Sequence, residues 1–80
     1  MSKLKILSAK EIIKIFESFG FIVVGQKGSH IKMERKLKSS AQTLTIPNHK
    51  EIDRGTLGAI YRQALRFVSE GELKEHFYTE

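Results

Sequence analysis

Between Phe21 and Pro47 three β-prone runs follow one another with only short connections, and that crowding limits the possible folds more than any other feature of the chain. Parallel neighbours need a crossover of about a dozen residues or more, whereas connections of this length join antiparallel ones. Phe21-Ile22-Val23-Val24 is aromatic and β-branched, which favours a strand. Gly25-Gln26-Lys27-Gly28 reads as the turn that follows it. Across residues 29–37 polarity alternates: Ile31, Met33 and Leu37 share one face, with Arg35 as the exception, while His30, Lys32, Glu34 and Lys36 share the other. Lys38 to Gln42 reads as a loop. Thr43-Leu44-Thr45-Ile46 reads as a third strand stopped by Pro47, which has no amide hydrogen for a ladder. The expected sheet is a three-stranded antiparallel meander with one apolar face.

That face needs a cover, and two amphipathic runs flank it. Ser8-Ala9-Lys10-Glu11 has the form of a capping box, with Leu7 and Ile12 placed as a hydrophobic staple. Ile12, Ile13, Phe16 and Phe19 then recur at helical spacing up to Gly20, so a first helix is expected over about Ala9 to Phe19. A second helix is expected from Asp53, an N-cap residue, with Leu57, Ile60, Tyr61, Ala64, Leu65 and Val68 as its apolar stripe. Gly55 and Gly58 in its first turns are read as tight packing against the sheet, with close approach of a ligand as the alternative. Ser69-Glu70-Gly71-Glu72 forms another capping box before Leu73 and Phe77, which suggests a short acidic terminal helix. The fold class is therefore α+β in the order α-β-β-β-α. It is expected as one domain over residues 1–80, with its core over about 7–68 and an acidic tail over 69–80.

The net charge of +5 is laid out unevenly: residues 1–66 carry thirteen Lys/Arg against five Asp/Glu, and residues 67–80 carry one against four. The body is thus +8 and the tail −3. A basic body suits an anionic partner such as nucleic acid, although charge alone is equally consistent with a solvated surface. There is no cysteine, so no disulfide or thiolate metal site supplements the core, and a reducing, cytoplasmic setting is the simpler expectation. No apolar stretch approaches the roughly 18 residues of a membrane span, and the start of the chain lacks the apolar run of a secretion signal. A soluble protein away from membranes is expected.

Gly28-Ser29-His30 is the leading chemical feature. Glycine permits a tight turn, serine offers a hydroxyl, and the histidine lands on the strand face opposite the core. Lys27, Lys32, Arg35, Lys36 and Lys38 surround it in sequence, opposed only by Glu34. Arg54, Arg62 and Arg66 can form a basic ridge beside the stripe of the second helix, to meet phosphates, an acidic protein surface or solvent. Tyr61 falls in the apolar stripe and is read as core; Phe67 is available to stack on a base. His49 follows Pro47-Asn48 and reads first as an ordinary turn residue, with a role beside His30 as the alternative. His76 sits among Glu72 and Glu75 as a solvated helix residue. The three histidines have no metal-ligand spacing, so neither a metal nor another cofactor is expected.

Taken in order, Gly20-Phe21, Lys27-Gly28-Ser29-His30, Ile46-Pro47-Asn48-His49, Gly55-Thr56-Leu57 and Arg62-Gln63-Ala64 resemble the HicA (YcfA-like) toxins over roughly Leu7 to Ala64. The resemblance implies a fold similar to the double-stranded-RNA-binding domain. It also implies a small messenger-RNA endoribonuclease of a type II toxin–antitoxin pair, silenced by a HicB-like antitoxin. It places the catalytic histidine at His30 and a phosphate-handling surface at Lys27 and Lys32.

The chemistry fits those residue types. RNA is cut without a metal when a base takes the ribose 2′-hydroxyl proton and cations stabilise the phosphorane, and imidazole titrates near neutrality. His30 is the expected base, and Lys27, Gly28, Ser29 and Lys32 are the expected phosphate holders. Arg62 and Arg66 are the expected RNA grip on the helix. A noncatalytic RNA-binding module using the same surface, and a plain interaction protein, are the competing readings.

Overall fold

The computed structural model describes residues 2–79, and its local structure begins with two cooperating caps. The Glu11 amide donates to Ser8 Oγ at 3.2 Å, and the Ser8 amide donates to Glu11 Oε1 at 2.9 Å, which starts helix α1 (Ala9–Ser18). The helix ends as a Schellman motif. Gly20, at φ +96°, passes its N–H to the Glu17 carbonyl, the Phe21 N–H returns to the Phe16 carbonyl at 3.1 Å, and the Phe16 and Phe21 rings meet edge-on at 5.9 Å. Helix end and strand start are thereby joined through one aromatic contact.

Strands β2 (Ile22–Lys27), β3 (His30–Lys36) and β4 (Ala41–Pro47) form an antiparallel sheet in that order. A two-stranded ribbon of β1 (Lys3–Leu4) and β5 (Tyr78–Thr79) pairs the beginning and end of the described chain. Helices α2 (Arg54–Ala64) and α3 (Glu70–Phe77) complete the order. In the sheet, Ile31 pairs with Ile46 and Met33 with Leu44; all four are buried and face α1 and α2. The alternation expected over residues 29–37 is therefore present, and the α+β architecture follows from it.

Several boundaries differ from expectation. Residues 25–27 are strand and not turn: Gly25 keeps an ordinary backbone, the register shifts by a bulge between Val23 and Gly25, and pairing continues to Lys27 opposite His30. Strand β4 is longer than 43–46 because Ala41, Gln42 and Pro47 also pair, and proline is tolerated there because β4 is an edge. Leu37, expected on the core face, lies past the end of β3 and is exposed. Gly55 and Gly58 do not admit the sheet closely. A side chain at either would first meet Asp53 Oδ2 at 3.4 Å or Arg62 Nη1 at 3.3 Å.

The core also extends past residue 68. Leu73 and Phe77 are fully buried, with the Phe77 ring 5.9 Å from Phe16 and 5.4 Å from Tyr61. The acidic side chains of the tail line the outside of a helix whose inside belongs to the core. The second capping box is incomplete: Ser69 Oγ donates to Glu72 Oε1 at 2.8 Å and makes no side-chain bond to the helix backbone.

Arg35 accounts for the one polar side chain on the apolar strand face. Its Nε donates to Gln42 Oε1 at 2.7 Å, the residue directly across the ladder. One terminal nitrogen donates to the Phe19 carbonyl at 2.9 Å and the other to the Phe67 carbonyl at 3.0 Å. Its guanidinium carbon stands 4.9 Å from the centre of the Phe21 ring. Arg35→Ala strips both carbonyls of their donor at a half-buried site. We expect a loss of about 2–3 kcal/mol in urea unfolding, only partly restored by Arg35→Lys, whose ammonium cannot span three acceptors in a plane. A midpoint equal to that of the parent contradicts this role.

The two helix caps give stability an acid limb. The Glu11 carboxyl is held below its ordinary value by the Ser8 amide first and the Ser8 hydroxyl second, and Asp53 by the Thr56 hydroxyl and then its amide. Depressed carboxyl values mean that this stabilisation is complete above the unfolded-state values and disappears as pH falls through the folded-state ones. The thermal midpoint should therefore fall between about pH 5 and pH 3, and less steeply in Glu11→Gln and Asp53→Asn. Parallel pH profiles for parent and variants exclude it.

Candidate active site on the outer sheet face

The site is built on the hairpin between β2 and β3. Lys27 and His30 face each other across a two-residue turn, Gly28-Ser29, with Gly28 at φ +60°. A positive φ at the first turn residue and not the second is the pattern of a type II′ hairpin, which glycine enters without strain. The turn is fixed from the far side as well, since the Asn48 amide donates to the Ser29 carbonyl at 2.6 Å. His30 is thereby seated as the middle residue of a cross-strand row, Lys27–His30–Pro47.

The next row along the same face is Gly25–Lys32–Thr45, followed by Ile22–Glu34–Thr43. His30 and Lys32 alternate with buried Ile31 and Met33, so both project from the face that the helices leave open. Neighbours at such spacing lie within about 5–8 Å, close enough for Lys27, His30 and Lys32 to engage one small anion together. All three are exposed, and the His30 ring has no hydrogen-bond partner among the described residues. Gln26 Nε2 donates to the Gly28 carbonyl at 3.0 Å and braces the turn from the other side of the strand.

Of the residues singled out in the sequence, Lys27, Gly28, Ser29, His30 and Lys32 come together on this hairpin. Arg35 does not join them: it faces inward, with its donors on Gln42, Phe19 and Phe67, so it leaves the basic field expected around His30. Arg62 and Arg66 belong to the helix layer, on the other side of the sheet from the His30 face. Arg62 folds back over Gly58, and Arg66 lies 5.6 Å from the Phe67 ring centre. Tyr61 is buried, and its hydroxyl donates to Glu70 Oε2 at 3.3 Å. Phe67 is half-buried, 6.2 Å from the Phe21 ring, so it too is engaged by the fold. His76 is half-buried edge-on to Phe19 at 5.5 Å and is not the freely solvated residue expected.

His49 lies just past the Pro47 partner of His30, where the chain turns toward the start of α1. It lines an open depression of about 430 Å³ with Ser8, Ala9, Lys10, Asn48 and Lys50. Sequence reasoning did not join Lys10 to this group, because the link is a tertiary backbone bond from the Ala9 amide to the His49 carbonyl at 3.0 Å. Among the described residues, no three His, Cys, Asp or Glu side chains are grouped closely enough to hold a metal ion. No helix among the described residues is long and apolar enough to cross a membrane.

The arrangement can bind an anion and move a proton at one exposed imidazole. No curated protein and no solved structure matches the chain. The family model described as the HicA toxin of bacterial toxin-antitoxin matches residues 9–65, a span that runs from the first residue of α1 to the end of α2 and holds the whole hairpin. That span is most of the 80 residues, and the chain belongs to the HicA toxin family, the toxin side of a toxin–antitoxin pair.

Proposed function

We propose that this toxin is an endoribonuclease acting on messenger RNA, with His30 as general base and no metal in the reaction. The observation that carries the reading is the cross-strand row Lys27–His30–Pro47, which sets an unpartnered imidazole beside an ammonium group on an open sheet face. His30 accepts the proton of a ribose 2′-hydroxyl, the 2′-oxygen attacks the adjacent phosphorus, and the bond from phosphorus to the 5′-oxygen breaks. The products are a 2′,3′-cyclic phosphate and a 5′-hydroxyl, whose proton comes from water, a lysine or the protonated His30. Lys27 and Lys32, with the Ser29 hydroxyl and the backbone amides of the Gly28-Ser29 turn, bear the charge that develops on the phosphorane.

Arg62 and Arg66 form a separate basic surface on the helix layer, where a longer RNA or an acidic partner can meet them. A HicB-like antitoxin that covers the open sheet face excludes RNA, and acidic side chains opposite Lys27 and Lys32 suit that task. A reaction in the cytoplasm accords with a chain that has no cysteine.

His30→Ala separates this reading from RNA binding without catalysis. The variant should cut RNA at least about 100-fold more slowly than the parent while keeping its RNA affinity, because one imidazole carries the proton and several cations carry the binding. Both proteins should lose affinity as salt rises. Equal cleavage rates for parent and variant sink the assignment, and a parent that binds RNA without cutting it supports the noncatalytic module.

A further inference from the structure

We propose that the depression between the start of α1 and the loop after β4 is a second RNA subsite, holding a nucleotide beyond the two that flank the cut. This rests on the reading of His30 as the reacting centre. Pro47 pairs with His30, and the two residues that follow it, Asn48 and His49, already line the depression. The chain turns directly after Pro47, where the His49 N–H donates to the Pro47 carbonyl at 2.9 Å, so the depression adjoins the strand end that pairs with His30. A volume of about 430 Å³ is enough for a nucleotide lying in an open trough.

The chemistry of the lining favours a phosphorylated, hydrogen-bonding ligand. Lys10 and Lys50 bring ammonium groups from two separate segments, and Asn48 and His49 bring groups that can meet a sugar or a base edge. Two neighbouring acids are hydrogen-bonded to helix caps, Glu11 to the Ser8 amide and Asp53 Oδ2 to the Thr56 amide at 3.0 Å, and the Asp53 carboxylate also lies within electrostatic reach of His49. Glu51 is exposed and lies outside the lining. Of the first-turn amides, the Ala9 N–H goes to His49 and the Glu11 N–H to Ser8, so side chains supply most of the donors here.

The trough is also preformed. Besides the Ala9–His49 bond, the Ile52 amide donates to the Leu7 carbonyl at 2.9 Å, so the loop is tied at one end to the first residue of α1 and at the other to the chain just before it. The Asn48 bond to Ser29 ties the same loop to the catalytic hairpin. A ligand in the trough therefore meets walls whose positions relative to His30 are set before it arrives.

The test compares the parent with Lys10→Ala/Lys50→Ala on two substrates: a dinucleotide containing only the phosphate to be cut, and a longer oligonucleotide extended on both sides. KM for the oligonucleotide should rise about tenfold while kcat holds, and the dinucleotide should be cut as by the parent. Lys10→Arg/Lys50→Arg should restore the oligonucleotide KM. Binding of the oligonucleotide, measured with both variants in a His30→Ala background, should lose about one unit of log–log salt slope in the alanine form. An unchanged oligonucleotide affinity, or equal loss on both substrates, overturns the subsite. So does a variant that binds RNA normally and fails only to be captured by its antitoxin, because the trough then belongs to the protein partner. If His30→Ala cuts RNA as the parent does, the reading of His30 fails, and the binding measurement still decides the trough.

Discussion

The guanidinium of Arg35 is the constraint on which the rest of the molecule depends. It replaces an apolar residue at the last inward position of β3 and satisfies two carbonyls that no helix or strand can reach, those of Phe19 at the end of α1 and Phe67 after α2. One planar group therefore sets how far both helix ends stand from the sheet. A buried apolar residue would fill the same space and leave two carbonyls unpaired, which costs more than the packing returns. The close approach of its Cδ to Gly20, where a Cβ would stand 3.3 Å away, adds a second reason for glycine beyond the positive φ.

With the helices held to one face, the sheet becomes a plate with two different sides. The inner side takes its order from Phe16, Phe21, Tyr61 and Phe77, whose rings touch in sequence across three helices and the start of a strand. The outer side takes its order from the ladder, which aligns Lys27, His30 and Pro47 with no side-chain hydrogen bond among the described residues to fix them. Stability and proposed chemistry thus draw on alternate residues of the same strand. Changes at His30 or Lys32 should leave the core intact, and changes at Ile31 or Met33 should damage both.

Much of this was legible in residue patterns that act locally. The Ser8–Glu11 box, the glycine after Phe19, the alternation through Ile31 and Met33 and the helical stripe from Leu57 to Ala64 each require only neighbours in sequence, and each is present in the structure, while Leu65 and Val68, expected on the same helix, pack against the core past its end. The departures come from long-range partners. Gly25 reads as a turn until a neighbouring strand is available to pair with it, and Arg35 reads as a surface cation until Phe19 and Phe67 are brought to it. Leu73 and Phe77 were visible as a helical pair, but their place in the core depends on partners distant in sequence, Phe16 of α1 and Tyr61 of α2. For the site, the Gly28-Ser29-His30 group was evident, whereas the association of Lys10 with His49 required a backbone bond between distant segments.

The bulge between Val23 and Gly25 has a consequence for how the molecule survives in a crowded solution. Ile22, Val23 and Val24 stand on an outer strand with about half of each side chain exposed, 60%, 46% and 45%, which is the composition of an aggregation template. A bulge breaks the regular run of amide and carbonyl groups that a second strand would need for docking and twists the edge away from a flat partner. The irregularity that carries Lys27 into register with His30 therefore also keeps the apolar edge from recruiting copies of itself.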